Sequence, residues 1–367
     1  MVSATSQDDI GTKLSPATCA RNTVQLENSR TRTCSKSNEI RCFPDIREKL
    51  ISDGLSSEVT DLLLSSWQLS TAKQYFAYYK KWVQFCGSRE VDKFNPNIKD
   101  VLLFLTQLYN NGLKYSGLNT ARSALSSLLE ITSDIQLGKH ALVKRLLKTM
   151  FLKSPSLPRY KNTWDVERVL KFISDLGNNE NLEFTTLTYK LVILLGLTTG
   201  QRCQTLSFVD VRNIEFINDG VKIRTGDMLK QSSANRNLEE IFLKQFKQNE
   251  KLCVVECLHH YLIVTSSLRQ STQLFVALKK PHNPVTKSTI ARWIKTLLKF
   301  AGIDMTIFKP HSVRAAACSA VEGHIPIDTV LKTAGWTRES TFRKFYDRPV
   351  KCNNEFGHTL LSKLKEK

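Results

Sequence analysis

The sequence predicts a mainly α-helical protein of two domains, a small all-helical domain followed by a mixed α+β domain with a small antiparallel sheet. Its 367 residues are enough for two domains that each bury a core. Apolar residues recur at helical spacing through most of the chain. The hairpin signal Asn218-Asp219-Gly220 lies between short alternating segments in the second half. The basic segment at residues 151–164, which contains two prolines, is predicted to be a linker.

The first domain, residues 45–150, is predicted to contain four or five short helices, and residues 1–44 are expected to form a disordered polar tail. Ser70 is expected to cap a helix that ends at Gly87. An aromatic face on this helix is interpreted as core rather than as a surface for base stacking: Tyr75, Tyr79, Trp82 and Cys86. Further helices are predicted over residues 98–110 and from about residues 116 and 141.

The second domain, residues 165–367, is predicted to begin with helices over residues 165–176 and 185–199. A strand at residues 211–217, the hairpin turn and the segments VKIRT and LEEIFL then predict an antiparallel sheet. Later helices are predicted over residues 254–266 and 287–301, and a short one lies between Pro326 and Gly335.

The net charge of the chain is strongly positive, +19 with a pI of about 9.5. This excess predicts a polyanionic partner, with nucleic acid favoured over an acidic membrane surface. The longest apolar runs, such as residues 191–197, are far too short to span a bilayer. The beginning of the sequence lacks the apolar segment of a secretory signal, so none is expected.

The nine cysteines have no regular spacing, and without a secretory signal they are expected to be reduced thiols. One cluster suggests zinc: Cys253, Cys257, His259 and His260. These side chains lie in a segment that is predicted to be a single helix. One helical face cannot present four ligands tetrahedrally, so no metal site is predicted.

Two segments carry an unusual combination of polar side chains. TTGQRCQTL holds Arg202, while KPHSVRAAACSA and AGWTRESTFRKFY hold four more: His311, Arg314, Trp336 and Tyr346. This combination suits attack on a phosphodiester by a tyrosine hydroxyl. The guanidinium groups and the indole N–H can donate to the phosphate oxygens, and the histidine can move a proton. The tyrosine can then hold the broken strand covalently.

These residues, in this order, resemble the motif of the tyrosine recombinase (phage-integrase-like) family. In that family an arginine follows a Thr-Gly-x start, His-x-x-Arg opens a later helix, and a Gly-His or Gly-Trp pair precedes the tyrosine. The matching residues are Arg202, His311, Arg314, Gly335, Trp336 and Tyr346. The resemblance implies that the arginines and the indole stabilise the transition state, and that Tyr346 is the nucleophile.

The family also has a lysine in a hairpin loop, and Lys230 is its best match. Lys222 is the runner-up, because its expected position within a strand is less suited. The resemblance implies that this lysine protonates the departing 5′ oxygen. The sequence shows no Walker-type loop and no carboxylate set for two metals, so neither ATP nor a cofactor is expected.

The resemblance covers about residues 55–360. It implies a helical core-binding (SAM-like) domain followed by a catalytic domain with the DNA breaking-rejoining fold. The segments GQRCQTL, LCVVECLHHYL and GWTRESTFRKFY are most similar to recombinases of Crypton- and DIRS-type mobile elements. The implied function is a site-specific recombinase or transposase that acts in the nucleus through a covalent 3′-phosphotyrosyl intermediate.

The resemblance further implies that the two domains clamp double-stranded DNA and that the protein forms dimers and tetramers on paired sites. Residues 350–367 are the candidate for a C-terminal segment exchanged between subunits. The candidate DNA contacts lie in the first domain and in the linker: Lys73, Asn119, Arg122, Ser123, Lys153, Arg159 and Lys161. Most of them are expected to contact phosphate rather than bases. No membrane partner is expected.

The sequence departs from the family pattern twice. Thr205 stands where many members have an acid, and the interval from Trp336 to Tyr346 is one residue longer than usual, with Phe345 in the usual slot. Two alternatives remain: a domesticated DNA-binding protein that no longer cleaves, and a type IB topoisomerase. The intact residue set argues against the first, and the compact helical N-terminal domain argues against the second.

Overall fold

The structure is a computed structural model that describes residues 43–133, 135–155, 160, 162–224, 240–336 and 338–348. The chain forms two compact units that divide between residues 157 and 158. Of the predicted tail at residues 1–44, residues 1–42 lie outside the described residues. Phe43, which the sequence assigns to that tail, is instead fully buried. The rings of Trp67, Phe76 and Tyr79 contact it edge-on, so Phe43 belongs to the core of the first unit.

The first unit is helical in all its described elements, as predicted. Its helices are α1 (Pro44–Ser52), α2 (Ser57–Ser65), α3 (Leu69–Gly87), α4 (Ile98–Asn110), α5 (Tyr115–Thr132) and α6 (Ala141–Lys153). The prediction that Ser70 caps α3 is wrong. Gln68 is the N-cap, because its carbonyl accepts the first hydrogen bonds of the helix, from the N–H groups of Thr71 and Ala72. Helix α6 also continues through residues 151–153, which the sequence assigns to the linker.

The aromatic face of α3 forms the centre of the core in this unit, as predicted. Trp82 is fully buried, and its indole N–H donates to the carbonyl of Lys93 at 3.0 Å. Its ring stacks on Phe85 with centroids 5.6 Å apart and meets Phe104 edge-on at 5.2 Å. Such rings contribute large buried apolar areas, so they hold α3 and α4 together.

The second unit combines helices with one small sheet. Its described elements are α7 (Val166–Asp175), α8 (Phe184–Thr199), α9 (Cys203–Ser207), β1 (Ile214–Ile217), β2 (Gly220–Ile223), β3 (Ile241–Lys244), α10 (Val254–Thr265), α11 (Lys287–Phe300), α12 (Ser312–Val321), α13 (Ile327–Ala334) and α14 (Glu339–Phe345). Helix α8 is buried on most sides, since α10, α11 and α12 all pack against it, and its middle is mainly apolar. The predicted fold class is confirmed.

The sheet is an antiparallel meander in the order β1-β2-β3. Gly220 pairs with Ile217 across the predicted turn, and a Cβ at this position would lie 2.2 Å from the carbonyl oxygen of Leu243. Glycine therefore allows β3 to approach β2. Strand β1 is shorter than predicted, since residues 211–213 form a 3₁₀ turn in which the Asp210 carboxylate accepts from the N–H of Arg212 at 2.9 Å.

The apolar helix α8 is an internal element of the second unit rather than a membrane segment. Ile193 and its neighbours Val192 and Leu194 are almost completely buried in the protein core. None of the helices in the described ranges is long and apolar enough to cross a membrane. The role of α8 is to fix the position of the turn that follows it, residues 200–202.

Replacement of Trp82 by alanine tests the core of the first unit. We expect Trp82→Ala to lower the free energy of unfolding by about 3–5 kcal/mol, because it removes a buried indole and leaves a cavity. Leu152→Ala is the control, since the Leu152 side chain is 66% exposed on α6. Urea unfolding of the full chain, followed by circular dichroism, measures both. Equal shifts of the two variants would contradict the assignment of Trp82 to the core.

Candidate active site

The turn after α8 carries Arg202 and is held in place by two contacts with α13. Gly200 ends α8 with a left-handed backbone (φ 58°), and a Cβ there would lie 3.1 Å from the Cβ of Ala334 on α13. The side-chain amide of Gln201 donates to the carbonyl of Thr333 at 2.8 Å. Arg202 follows as the N-cap of α9 and is half-buried. Close packing against α13 therefore positions this arginine.

Arg314 lies on α12 and is 2% exposed. Its Nη1 donates to the carbonyl of Gly200 at 2.9 Å, and among the described residues no group accepts from its Nε or Nη2. Burial, and then the charge of Arg202, lower the pKa of Arg314 to about 9. The cation is therefore electrostatically unfavourable in the free protein, and an anion at Nε and Nη2 would relieve this cost.

Trp336 covers the other side of the Arg314 side chain. Its ring centroid lies 4.0 Å from the guanidinium carbon, a cation–π contact. Trp336 is 5% exposed, and its indole N–H has no acceptor among the described residues. Gly335 directs the indole inward, because it ends α13 in the left-handed conformation (φ 70°). The site thus contains three buried N–H donors that no described residue uses.

Tyr346 lies next to His311. A hydrogen bond joins the Tyr346 hydroxyl to Nε2 of His311 at 2.9 Å, and the imidazole tautomer decides which group donates. The tyrosine ring also lies 4.7 Å from the Trp336 ring and 5.5 Å from the guanidinium carbon of Arg314. The hydroxyl is therefore held by a group able to take its proton, close to the buried cation.

Tyr346, which follows the longer interval, lies at the end of α14. Tyr346 follows the last residue of that helix with a non-helical backbone (φ −124°, ψ −28°). Its N–H donates to the carbonyl of Phe342 at 2.8 Å, and its own carbonyl accepts from the Ser319 hydroxyl at 3.0 Å. Tyr346 is therefore held at the C-cap of α14 by hydrogen bonds on both sides of its peptide backbone. Thr205, at the position of the family acid, is buried in α9 and brings no negative charge to the site.

Lys230, the predicted acid, lies outside the described residues, and its role stays a prediction. It falls between β2 and β3, the interval expected for the family lysine. Lys222, the runner-up, lies on β2 and pairs with Glu240 at 3.8 Å. Its amine is therefore engaged by a carboxylate that lies just before β3.

The candidate DNA contacts differ in exposure. Lys73 on α3 and Lys153 at the end of α6 are exposed, whereas Asn119, Arg122 and Ser123 are half-buried on α5. Arg122 donates to the side-chain oxygen of Asn119 at 2.8 Å, and among the described residues its buried Nε has no acceptor. Two candidates lie outside the described residues: Arg159 and Lys161.

The cysteine–histidine cluster does not converge on one point. Cys253 and Cys257 are buried in the core, whereas His259 is exposed and contacts the ring of Phe216 edge-on. The described ranges contain no group of three or more side chains that could hold a metal ion.

Several side chains near the site are absent from the sequence prediction. Trp164, at the end of the predicted linker, is buried and donates to the Ser312 hydroxyl at 2.9 Å beside His311. Ser319 and Arg343 contact the segment around Tyr346. A sequence signal exists for Arg343 alone, because Glu339 and Asp347 lie four residues to either side of it.

Comparison with known proteins adds independent findings. The model of the phage integrase family matches residues 164–351. The structure is similar to XerH site-specific recombinase bound to a palindromic difH substrate, with a TM-score of 0.58, 17% identity, and coverage of 88% of this chain and 89% of that one. It is also similar to the Tn1549 transposon integrase in complex with transposon right-end DNA. The TM-score is 0.51 and the identity 14%, and the match covers 88% of this chain and 98% of that one. No curated protein sequence matches the chain significantly.

These similarities to solved structures concern the fold, since the identities are below one fifth. The family match covers just over half of the 367 residues and includes every residue of the site described above. The chain therefore belongs to the phage integrase family, a membership that supports an enzyme of DNA recombination and integration.

Proposed function

We propose that this protein is a site-specific recombinase or transposase that cuts and rejoins DNA through a covalent 3′-phosphotyrosyl intermediate. One observation carries the proposal. The Tyr346 hydroxyl is hydrogen-bonded to His311 and lies close to Arg314. The Nε and Nη2 atoms of Arg314 have no acceptor among the described residues. A nucleophile, a base and unused cationic donors are the groups that transesterification at phosphorus needs.

The donors have a common target in this mechanism. Arg314 presents Nε and Nη2, Trp336 presents its indole N–H, and the charge of Arg202 acts on the same region. A scissile phosphate at these groups would accept their hydrogen bonds through its non-bridging oxygens. Because negative charge increases on those oxygens in the transition state, preorganised donors lower the barrier.

Proton transfer follows from the contact between His311 and Tyr346. His311 accepts the hydroxyl proton as the Tyr346 oxygen attacks phosphorus, and the bond from phosphorus to the 5′ oxygen breaks. Lys230 protonates the departing 5′ oxygen in this scheme. The phosphotyrosyl bond retains the energy of the cleaved linkage, so a 5′ hydroxyl from another strand can rejoin the DNA without ATP.

The proposed partner is double-stranded DNA, bound by dimers and tetramers of this chain on paired sites. The charge of +19 supports a polyanionic partner. XerH and the Tn1549 integrase are proteins of this fold that were solved with DNA. We further propose an origin in a Crypton- or DIRS-type element, action in the nucleus, and phosphate contacts at the first-domain and linker positions named above.

Removal of the nucleophilic hydroxyl is the direct test. We expect the wild-type protein to form a protease-sensitive covalent adduct with nicked suicide duplexes taken from the flanks of its own gene. Tyr346→Phe should form none while it binds the same DNA, because the phenyl ring preserves the packing against Trp336. A denaturing gel measures the adduct. An adduct that persists in the variant would exclude Tyr346 as the nucleophile. Salt-sensitive binding without any wild-type adduct would favour a DNA-binding protein that does not cleave.

The proposed role of Lys230 predicts a dependence on the leaving group. Lys230→Ala should slow cleavage of a normal strand by about 10²–10⁴-fold, the usual contribution of a general acid. A 5′-thiol leaving group needs little protonation, so the defect should nearly disappear on a substrate with a bridging 5′ sulfur. Lys222→Ala is the matched control. An equal Lys230→Ala defect on both substrates, or a leaving-group effect in Lys222→Ala instead, would remove Lys230 from the acid role.

Two donor atoms of the buried Arg314 have no acceptor among the described residues. We therefore expect its replacement to preserve or raise the stability of the free protein while it abolishes cleavage. We expect Arg314→Met to unfold at a temperature equal to or above that of the wild type without DNA, because it removes a buried cation that has no carboxylate partner among the described residues. The same variant should form no adduct. Thermal unfolding of the two proteins measures the difference. A loss of more than about 1 kcal/mol in the variant would show that Arg314 stabilises the free fold.

A further inference from the structure

Helix α14, which precedes Tyr346, is too short to be stable by itself. It has only seven residues, and an isolated helix of that length is unstable in water. Phe342 is its one fully buried side chain among those described, in a small cluster with Trp336, Val330 and Ala334. Other contacts must therefore contribute to the position of the tyrosine.

Arg343 supplies such contacts, since it joins carboxylates from three places in the chain. Its Nε donates to Glu339 in the first turn of α14 at 3.2 Å. Its Nη1 donates to Asp347 at 3.0 Å and also contacts Glu322, the residue that ends α12. Asp347 directly follows Tyr346, so this guanidinium connects the tyrosine segment to α12.

Ser319 makes a second connection between the same two elements. Its hydroxyl donates to the carbonyl of Tyr346 at 3.0 Å and accepts from the N–H of Arg348 at 3.1 Å. Ser319 lies on α12 five residues after Arg314. The helix that carries the phosphate-binding arginine thus also holds the backbone on both sides of Asp347.

We propose that Arg343 is a positioning residue for Tyr346: together with Ser319 it forms a latch that fastens the tyrosine segment to α12 of the same subunit. The latch sets the distance from the Tyr346 hydroxyl to His311, whose ring lies at the start of α12. Its effect on DNA cleavage rests on the proposed function, whereas its effect on the free protein does not.

The charges around Arg343 make the latch depend on this one cation. Burial and the neighbouring Asp347 raise the pKa of Glu322, while Arg343 opposes that rise. Without the guanidinium, Glu322 and Asp347 would repel each other and push the tyrosine segment away from α12. Because Arg343 is about half exposed, its ion pairs contribute little to global folding. Its loss should therefore displace Tyr346 without unfolding the protein.

The kinetic test compares single-turnover cleavage at saturating DNA with the dissociation constant for the same duplex. Arg343→Ala should cleave about 10- to 100-fold more slowly, since a shift of about 1 Å in a reacting group has effects of that size. Its dissociation constant should stay within about twofold, because the expected loss is one of geometry rather than of DNA contacts.

Arg343→Lys should restore part of the rate. Arg343→Ala combined with Glu322→Gln should cleave faster than Arg343→Ala alone, since the repulsion is removed.

Arg338→Ala is the matched control, because it removes the same charge from the exposed N-cap of α14. Its cleavage rate at saturating DNA should equal that of the wild type.

A second measurement needs no DNA. Hydrogen exchange in the peptide that spans residues 339–348 should be faster in Arg343→Ala than in the wild type and in Arg338→Ala, because the N–H of Arg348 loses its acceptor, the Ser319 hydroxyl on α12.

Wild-type cleavage and wild-type exchange in Arg343→Ala would overturn the latch. A cleavage defect of equal size in Arg338→Ala would also overturn it, since the effect would then follow charge rather than geometry. If the wild-type protein itself forms no adduct, the proposed function fails, and the exchange measurement still decides the latch.

Discussion

The hydrogen bond from Arg314 Nη1 to the carbonyl of Gly200 is the interaction on which the site depends. It joins α12, which carries His311 and Arg314, to the turn that carries Arg202, although 114 residues separate its two partners. Gly200 permits this contact because its left-handed backbone turns the chain at the end of α8. Only Nη1 is used in the contact, and among the described residues Nε and Nη2 have no acceptor.

Around this bond the structure separates binding groups from positioning groups. Arg314, Trp336 and His311 lie at the centre and face the tyrosine. Arg343 and Ser319 lie behind the tyrosine and contact its helix and backbone. The two sets meet on α12, because His311, Arg314 and Ser319 all lie on or at the start of this helix, which therefore contacts both the side chain and the backbone of Tyr346.

The sequence predicted the elements whose signals are local. Helix α4 begins and ends as expected from its apolar periodicity, and in the structure a capping box of Asn97 and Asp100 marks its start. Ser70 was the wrong cap for α3, since the carbonyl of Gln68 begins the helix and a side-chain signal cannot reveal that. Arg343 was missed because its contact with Glu322 spans a reversal of the chain, and spacing along one helix does not show it. Lys230 is still known only from its position between β2 and β3.

The unused donors of Arg314 and Trp336 also have an evolutionary consequence. Buried polar groups without partners are a liability to a folded chain, so random drift tends to replace them with apolar side chains that fill the same space. A lineage released from selection for strand cleavage would lose these donors early, while its helical core stayed intact. Under the proposed function, their presence together with Tyr346 is the result of selection for chemistry as well as for binding.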